Sequence, residues 1–168
     1  MITHPEMVKA LVKPGQQILD ETGHRDRRVL TRAILNHIRA GESLDNAKKQ
    51  VFNRNTKYDE PPFQGLAEWK NWTPQSVDAL HMAVGLAGET AEVLQKIFHC
   101  IIDPDFHQLT DSELEEELGD VEFYMEGLRQ ALELTREGCL ENNINKLGKR
   151  YEGFEYSDKK AQDRADKA

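Results

Sequence analysis

Apolar positions along the chain recur at helical spacing, and no segment shows the alternation of a half-buried strand. The pattern predicts helices over residues 7–20 and 27–40, the second ending at Gly41, and a short third over 43–54. Residues 58–72, with Pro61-Pro62, Gly65, Trp69 and Trp72, read as a loop or irregular linker. Thr73-Pro74 has the form of an N-cap followed by a first-turn proline. The helix it opens runs to about Ile102, where Asp103-Pro104 breaks the pattern. Thr110-Asp-Ser-Glu113 has the form of a capping box and opens a helix to about Arg136. Gly138 then interrupts, and a last helix covers roughly 140–150. Residues 157–168 are polar and small and are expected to fray. The predicted fold class is all-α. Its parts are a helical extension and linker (1–72), a helical core (73–156) and a polar tail (157–168).

The faces of the two strongest helices sort their side chains. At about 100° per residue, Leu80, Val84, Ala87, Ala91, Leu94 and Phe98 fall on one stripe. Leu86, Val93, Ile97 and Ile101 widen that apolar arc beyond half the circumference, so this helix needs more than one neighbour. The narrow strip that remains holds His81, Gly85, Glu89, Glu92 and Lys96. On the next helix, Leu114, Leu118, Val121, Met125, Leu128 and Leu132 form the expected seam. Glu115, Glu116, Glu122, Glu126 and Glu133 share one flank with Arg129 and Gln130, as an ordinary solvated face. Glu113, Glu117 and Asp120 occupy the other flank with Tyr124, Gly127 and Ala131. Acids among small and aromatic residues near a helix seam call for something to neutralise them.

Composition narrows the classes. A chain of 168 residues makes one domain, or a core with an extension, and needs no disulfide to hold it. Cys100 and Cys139 are far apart and read as reduced thiols of a cytoplasmic protein. No signal pattern and no membrane-length apolar run is present, so no membrane partner is expected. The net charge is −8, from 30 acids against 22 Lys and Arg. Without a basic stripe, such a chain is a poor ligand for duplex nucleic acid. It also repels free polyphosphate unless a metal inverts the local field.

Glu89/Glu92 and Glu117/Asp120 are each spaced i, i+3, which projects both members of a pair from one side of a helix. Brought together, they offer four hard oxygen ligands, suited to Mg²⁺ with Mn²⁺ as a substitute. The set gives no argument for zinc, having no thiolates and few imidazoles.

These residues resemble a family. His81-Met-Ala-Val-Gly85-Leu-Ala-Gly-Glu89-Thr-Ala-Glu92, then Lys96, then Glu116-Glu117-Leu118-Gly119-Asp120 with Phe123-Tyr124, is similar to the MazG-like all-α nucleoside triphosphate pyrophosphohydrolases. Their signature is ExxE, a gap, then ExxD; here 24 residues separate Glu92 from Glu117. Asn143-Ile-Asn-Lys146-Leu-Gly-Lys-Arg150-Tyr151, then Gly153-Phe154, resembles the family's terminal element. The likeness covers about residues 73–156. Glu89-Thr-Ala-Glu92 departs from the frequent Glu-Ala-Gly-Glu, and residues 1–72 match nothing assignable.

The resemblance implies that Glu89, Glu92, Glu117 and Asp120 bind Mg²⁺, with Glu89 or Glu92 as the base. It implies that His81, Lys96, Asn143, Lys146, Arg150 and Tyr151 contact the nucleotide. The implied reaction is attack of a metal-activated water on a (deoxy)nucleoside triphosphate, giving monophosphate and pyrophosphate. It further implies a helical bundle completed by oligomerisation, as a homodimer or homotetramer. Plainer roles stand beside these: His81 as a structural histidine, Lys96 in an i, i+4 pair with Glu92, and Lys149 and Arg150 at a helix dipole. Trp69 and Trp72 stack on a base or pack on the core; His99 and His107 have no partner at metal spacing. The competing functions are a nucleotide-binding or helical interaction protein without turnover, and an enzyme with a different cut.

Overall fold

Every element of the computed structural model is helical among the described residues, which are 2–51, 73–102 and 110–167. In chain order they are α1 (His4–Leu11), α2 (Gly15–Glu21), α3 (His24–Val51), α4 (Pro74–Ile102), α5 (Asp111–Ala131), α6 (Arg136–Arg150) and α7 (Asp158–Asp163). Short 3₁₀ turns follow at Glu152–Phe154 and Ala165–Lys167. No described helix is long and apolar enough to cross a membrane. The chain forms two compact units: residues 28–133, and residues 1–27 together with 134–168. The expected loop at 58–72, with Trp69 and Trp72, lies outside the described residues, as does His107.

In the unit of residues 28–133, α4 has the bounds its sequence predicts. The Thr110 capping box forms as read: Glu113 N–H donates to Thr110 Oγ1 at 3.3 Å, and Thr110 N–H donates to Glu113 Oε2 at 2.9 Å. α5 stops at Ala131, short of the expected Arg136, because Glu133 turns into the left-handed region with φ of 56°. The two helices expected on either side of Gly41 are one continuous helix, α3. Gly41 does not terminate it. A Cβ at this position would lie 2.2 Å from the Ala91 Cβ, so the glycine lets α3 and α4 approach. Gly85 does the same for α4 and α5, since a Cβ there would meet the Tyr124 ring at 2.1 Å.

The packing face of α5 differs from expectation in part. Glu117, Tyr124 and Gly127 face α4, with Tyr124 against Gly85 and Gly127 against Met82. The expected seam is split: Leu114, Val121 and Leu128 are half-buried, whereas Leu118, Met125 and Leu132 are exposed, as is neighbouring Phe123. Ile97, Ile101 and Ile102 at the end of α4 are likewise exposed. Gly85 and Gly127 shift the contact towards the Tyr124 side, because they let Tyr124 and Met82 approach the facing backbone closely. The apolar core of this unit centres on Ile38, Ala91 and Phe98.

The other unit contains α1, α2, α6 and α7. The single helix expected over 7–20 is two, because Pro14 cannot donate the hydrogen bond that continuation needs. Gly138 does not interrupt α6; the helix starts upstream at Arg136, where Thr135 Oγ1 accepts from Gly138 N–H at 3.1 Å. α1 packs on α6, and Met7 is fully buried. The tail, expected to fray, is ordered by specific bonds. Ser157 caps α7, and Arg150 forms a two-bond pair with Asp166 at 2.5 and 2.8 Å. Lys13 reaches both Glu21 and Asp158, at 2.5 and 3.2 Å.

Candidate metal centre

The contacts Met82–Gly127, Gly85–Tyr124 and Lys96–Glu117 run in opposite chain directions, so α4 and α5 are antiparallel. That arrangement brings the ExxE of α4 opposite the ExxD of α5. One carboxylate oxygen each from Glu89, Glu117 and Asp120 lie within 4.8 Å of one another. Glu117 is the most enclosed, at 8% exposure; Glu89 is half-buried and Asp120 exposed. Glu92 is outside this triad, at the exposed rim.

Lys96 does not pair with Glu92 one turn away. Its Nζ lies 2.6 Å from Glu117 Oε1, across the hairpin, and that bond raises the ammonium pKa. Burial raises the pKa of Glu89, with the charge of Glu92 adding to it and Lys48 opposing it. Burial also raises the pKa of Glu92, followed by repulsion from Glu117 and Asp45. A cation bound among these oxygens would offset both the burial and the repulsion.

Three residues of α3 complete the site, and sequence reading missed them. Lys48, 6% exposed, has its Nζ 2.9 Å from Asp45 Oδ1 and 3.7 Å from Glu89 Oε1. It donates to the Tyr124 hydroxyl at 3.2 Å and sits 5.0 Å from that ring's centroid. Lys49 pairs with Asp45 as well. Burial would lower the Lys48 pKa, but the bonds to Asp45 and Tyr124 outweigh it and leave it raised. Burial would likewise raise Asp45, yet the bonds from Lys49 and Lys48 hold its pKa below the usual value. The local spacing of Asp45, Lys48 and Lys49 is that of a common surface ion pair, so no sequence signal distinguished it.

The charges sum to a deficit. Asp45, Glu89, Glu92, Glu117 and Asp120 are five carboxylates; Lys48, Lys49 and Lys96 are three ammonium groups. The carboxylates outnumber the ammonium groups, so the cluster is left net negative. The oxygen-only donor set fits Mg²⁺ or Mn²⁺.

The remaining sequence-predicted residues stand elsewhere. His81 is half-buried on α4, about 12 Å along the helix from Glu89 at the usual rise per residue. Asn143, Lys146, Arg150 and Tyr151 belong to α6 and its C-cap, in the other compact unit. Lys146 is exposed and Asn143 half-buried. The Arg150 guanidinium is engaged by Asp166, which raises its pKa, and the Asp166 carboxyl is pushed down to about 2 by the same bond. Tyr151 is buried and stacks on Tyr156 with centroids 5.8 Å apart. No protein-family profile, curated protein or solved structure matches this chain.

Proposed function

We propose that this protein is a Mg²⁺-dependent nucleoside triphosphate pyrophosphohydrolase of the MazG-like kind, releasing monophosphate and pyrophosphate. The observation that carries the reading is the convergence of Glu89, Glu117 and Asp120, from the two halves of the ExxE/ExxD signature. These three, with Glu92 at the rim, are the residues to hold the metal. Bound Mg²⁺ would polarise the phosphoryl oxygens and balance the charge that develops on them.

The chain's own groups supply the rest. Glu92 is open to solvent and has a raised pKa, so its carboxylate is placed to take a proton from an attacking water. Glu89, held near Lys48, is the alternative base. Lys96 provides a cation beside the acids, where a phosphate oxygen needs one. His81, Asn143, Lys146, Arg150 and Tyr151 enter as nucleotide contacts on the strength of the resemblance alone. Arg150 has to exchange Asp166 for phosphate to serve in this way.

The exposed Ile97, Ile101, Leu118 and Phe123 support association with a second copy, as a homodimer or a dimer of dimers. A cytoplasmic role in adjusting or cleaning the nucleotide pool follows from the same reading.

The test is incubation with the eight common NTPs and dNTPs, with and without Mg²⁺ or Mn²⁺, and separation of products by anion exchange. The expected result is metal-dependent monophosphate and pyrophosphate, abolished in Glu92→Gln and Glu117→Gln. Absence of turnover with every nucleotide and both metals overturns the hydrolase reading.

A further inference from the structure

Two ammonium groups reach the carboxylates of the acidic centre, and they are held differently. The Lys48 side chain is 7% exposed, lies against Glu89, and is bonded to Asp45 and the Tyr124 hydroxyl as well. It keeps two partners if Glu89 turns to another charge, and it has little access to water. The Lys96 side chain is 30% exposed and meets Glu117 Oε1 at 2.6 Å. It makes no other hydrogen bond or ion pair with a described residue.

Glu117 is enclosed, with its side chain 10% exposed, and an enclosed carboxylate needs a counter-charge. The chain supplies it from Lys96. The same carboxylate belongs to the triad with Glu89 and Asp120, whose oxygens lie within 4.8 Å of one another. A divalent ion held by that triad and an ammonium bonded to one of its members are like charges on one group. Two charges against one, a few Å apart, cost roughly tenfold or more in affinity even at the dielectric constant of water. The two cations therefore compete. The ion has twice the charge and three carboxylates to hold it, whereas the ammonium has one. Lys96 gives way at small cost, because its head moves from the rim into water.

Resting on the metal centre of the hydrolase reading, we infer that Lys96 is an exchangeable counter-ion. It holds Glu117 until a divalent cation takes that carboxylate, and is then released to a phosphate bound beside the cation. The released ammonium stays tethered to α4 at the edge of the acidic centre. The charges of Glu116 and Glu113 also act on it there. Glu113 is committed to the Thr110 N–H and hydroxyl, at 2.9 and 2.8 Å, and Glu116 is exposed. A terminal phosphoryl group has more negative charge and more acceptor oxygens than one hydrated carboxylate, and is the stronger partner. Lys96 thus couples the two ligands. Cation binding frees the ammonium for phosphate, and phosphate keeps the ammonium off Glu117. Such coupling is reciprocal, each ligand tightening the other by the same factor. Loss of the Lys96 charge therefore acts with opposite signs: the cation binds tighter and the phosphate weaker. Two plainer roles predict otherwise. An inconsequential surface ion pair changes neither affinity, and a pair that only shapes Glu117 for the ion weakens cation binding when lost.

The experiment needs no turnover. Mn²⁺ is titrated into the full chain by calorimetry, and imidodiphosphate is then titrated into the Mn²⁺-saturated protein. Lys96→Met keeps the length of the stem and drops the charge; Lys96→Gln replaces it if the methionine variant does not fold. Lys96→Arg keeps the charge. The expected result for the neutral variant is Mn²⁺ affinity raised roughly tenfold. Its affinity for imidodiphosphate should fall roughly tenfold or more, as for loss of a charged hydrogen bond. Lys96→Arg should bring both values back towards wild type. Unchanged or weaker Mn²⁺ binding in the neutral variant overturns the exchange, and so does unchanged imidodiphosphate binding. The hydrolase reading survives either result if the wild type binds the ion and cuts nucleotides. If both shifts are found but no nucleotide is cut, the exchange stands and the hydrolase reading falls. If neither wild type nor variant binds Mn²⁺, both fall.

Discussion

Gly41→Ala tests whether α3 and α4 touch as closely as described. The added Cβ would stand 2.2 Å from the Ala91 Cβ. Ordinary carbon contact is about 3.5–4.0 Å, so the helices must part by roughly 1.5 Å at that point. Neither methyl group has a rotamer through which to escape. Overpacking of this kind costs about 1–3 kcal/mol. Against it stands the gain of about 1 kcal/mol when alanine replaces glycine inside a helix. The net expectation is a loss of about 0–2 kcal/mol in the unit of residues 28–133. Gly119→Ala supplies the contrast, because that position is exposed within α5 and its Cβ would meet nothing within 4 Å. It should stabilise by about 0.5–1 kcal/mol. Adding Ala91→Gly to Gly41→Ala removes the collision while the two propensity changes cancel. The double-mutant cycle should return a coupling of about 1–3 kcal/mol in the stabilising direction. Urea unfolding followed by circular dichroism reads all of these, with the two compact units fitted separately if their transitions part. The reasoning is refuted if Gly41→Ala stabilises as much as Gly119→Ala and shows no coupling to Ala91→Gly.

Three further outcomes follow from the charges and the exposed surface. Glu89 and Glu92 have raised pKa values, so their stabilising share is present below the ordinary carboxylate value near 4.5 and is lost as pH rises through the folded values. Metal-free protein should therefore lose stability over that rise, and the Tm gained on adding Mg²⁺ should be larger at pH 7 than at pH 4.5. Asp166 behaves oppositely: its pKa falls from 3.8 to about 2, so its contribution is complete above 3.8 and fades as pH falls through 2. Asp166→Asn should speed amide exchange in α7 at neutral pH while α4 and α5 stay protected; unchanged exchange in α7 would remove the pair from the account. Finally, Phe123→Glu places a charge on the exposed apolar face of α5 and should shift light-scattering mass towards monomer with helicity retained. A wild type that is already monomeric at micromolar concentration would contradict the association itself.

Local signals were legible and tertiary ones were not. The start of α4 at Thr73-Pro74 and the Thr110–Glu113 box are written in neighbouring residues, and both are found where expected. The i, i+3 acid pairs are local too, which is why the α4–α5 carboxylates could be anticipated. Gly41 was misread because glycine's weak helix propensity yields to a close helix contact that no local pattern reveals. Pro14 was misread in the opposite sense, since apolar periodicity was followed across a residue that breaks helices. The error over the α5 seam has one cause: amphipathicity locates the apolar arc but does not say which neighbour covers it. In this chain the hairpin closes through Gly85, Tyr124 and Gly127, and Leu118, Met125 and Leu132 of the apolar arc are left outward. The part of α3 in the site stayed hidden for the same reason. Asp45, Lys48 and Lys49 become more than a helix-surface pair only when α3 lies against α4 and α5.

Lys48 has a consequence for anyone trimming this protein to its signature. Its single ammonium reaches an acid of α3, an acid of α4 and the phenol of α5 at once. A fragment cut to residues 74–131 would keep Glu89, Glu92, Glu117 and Asp120 but carry away the cation that tempers Glu89 and anchors Tyr124. Grafting the two short acid patterns onto another helical hairpin would copy the ligands and omit their counterweight. The smallest transferable unit is therefore three helices, not two.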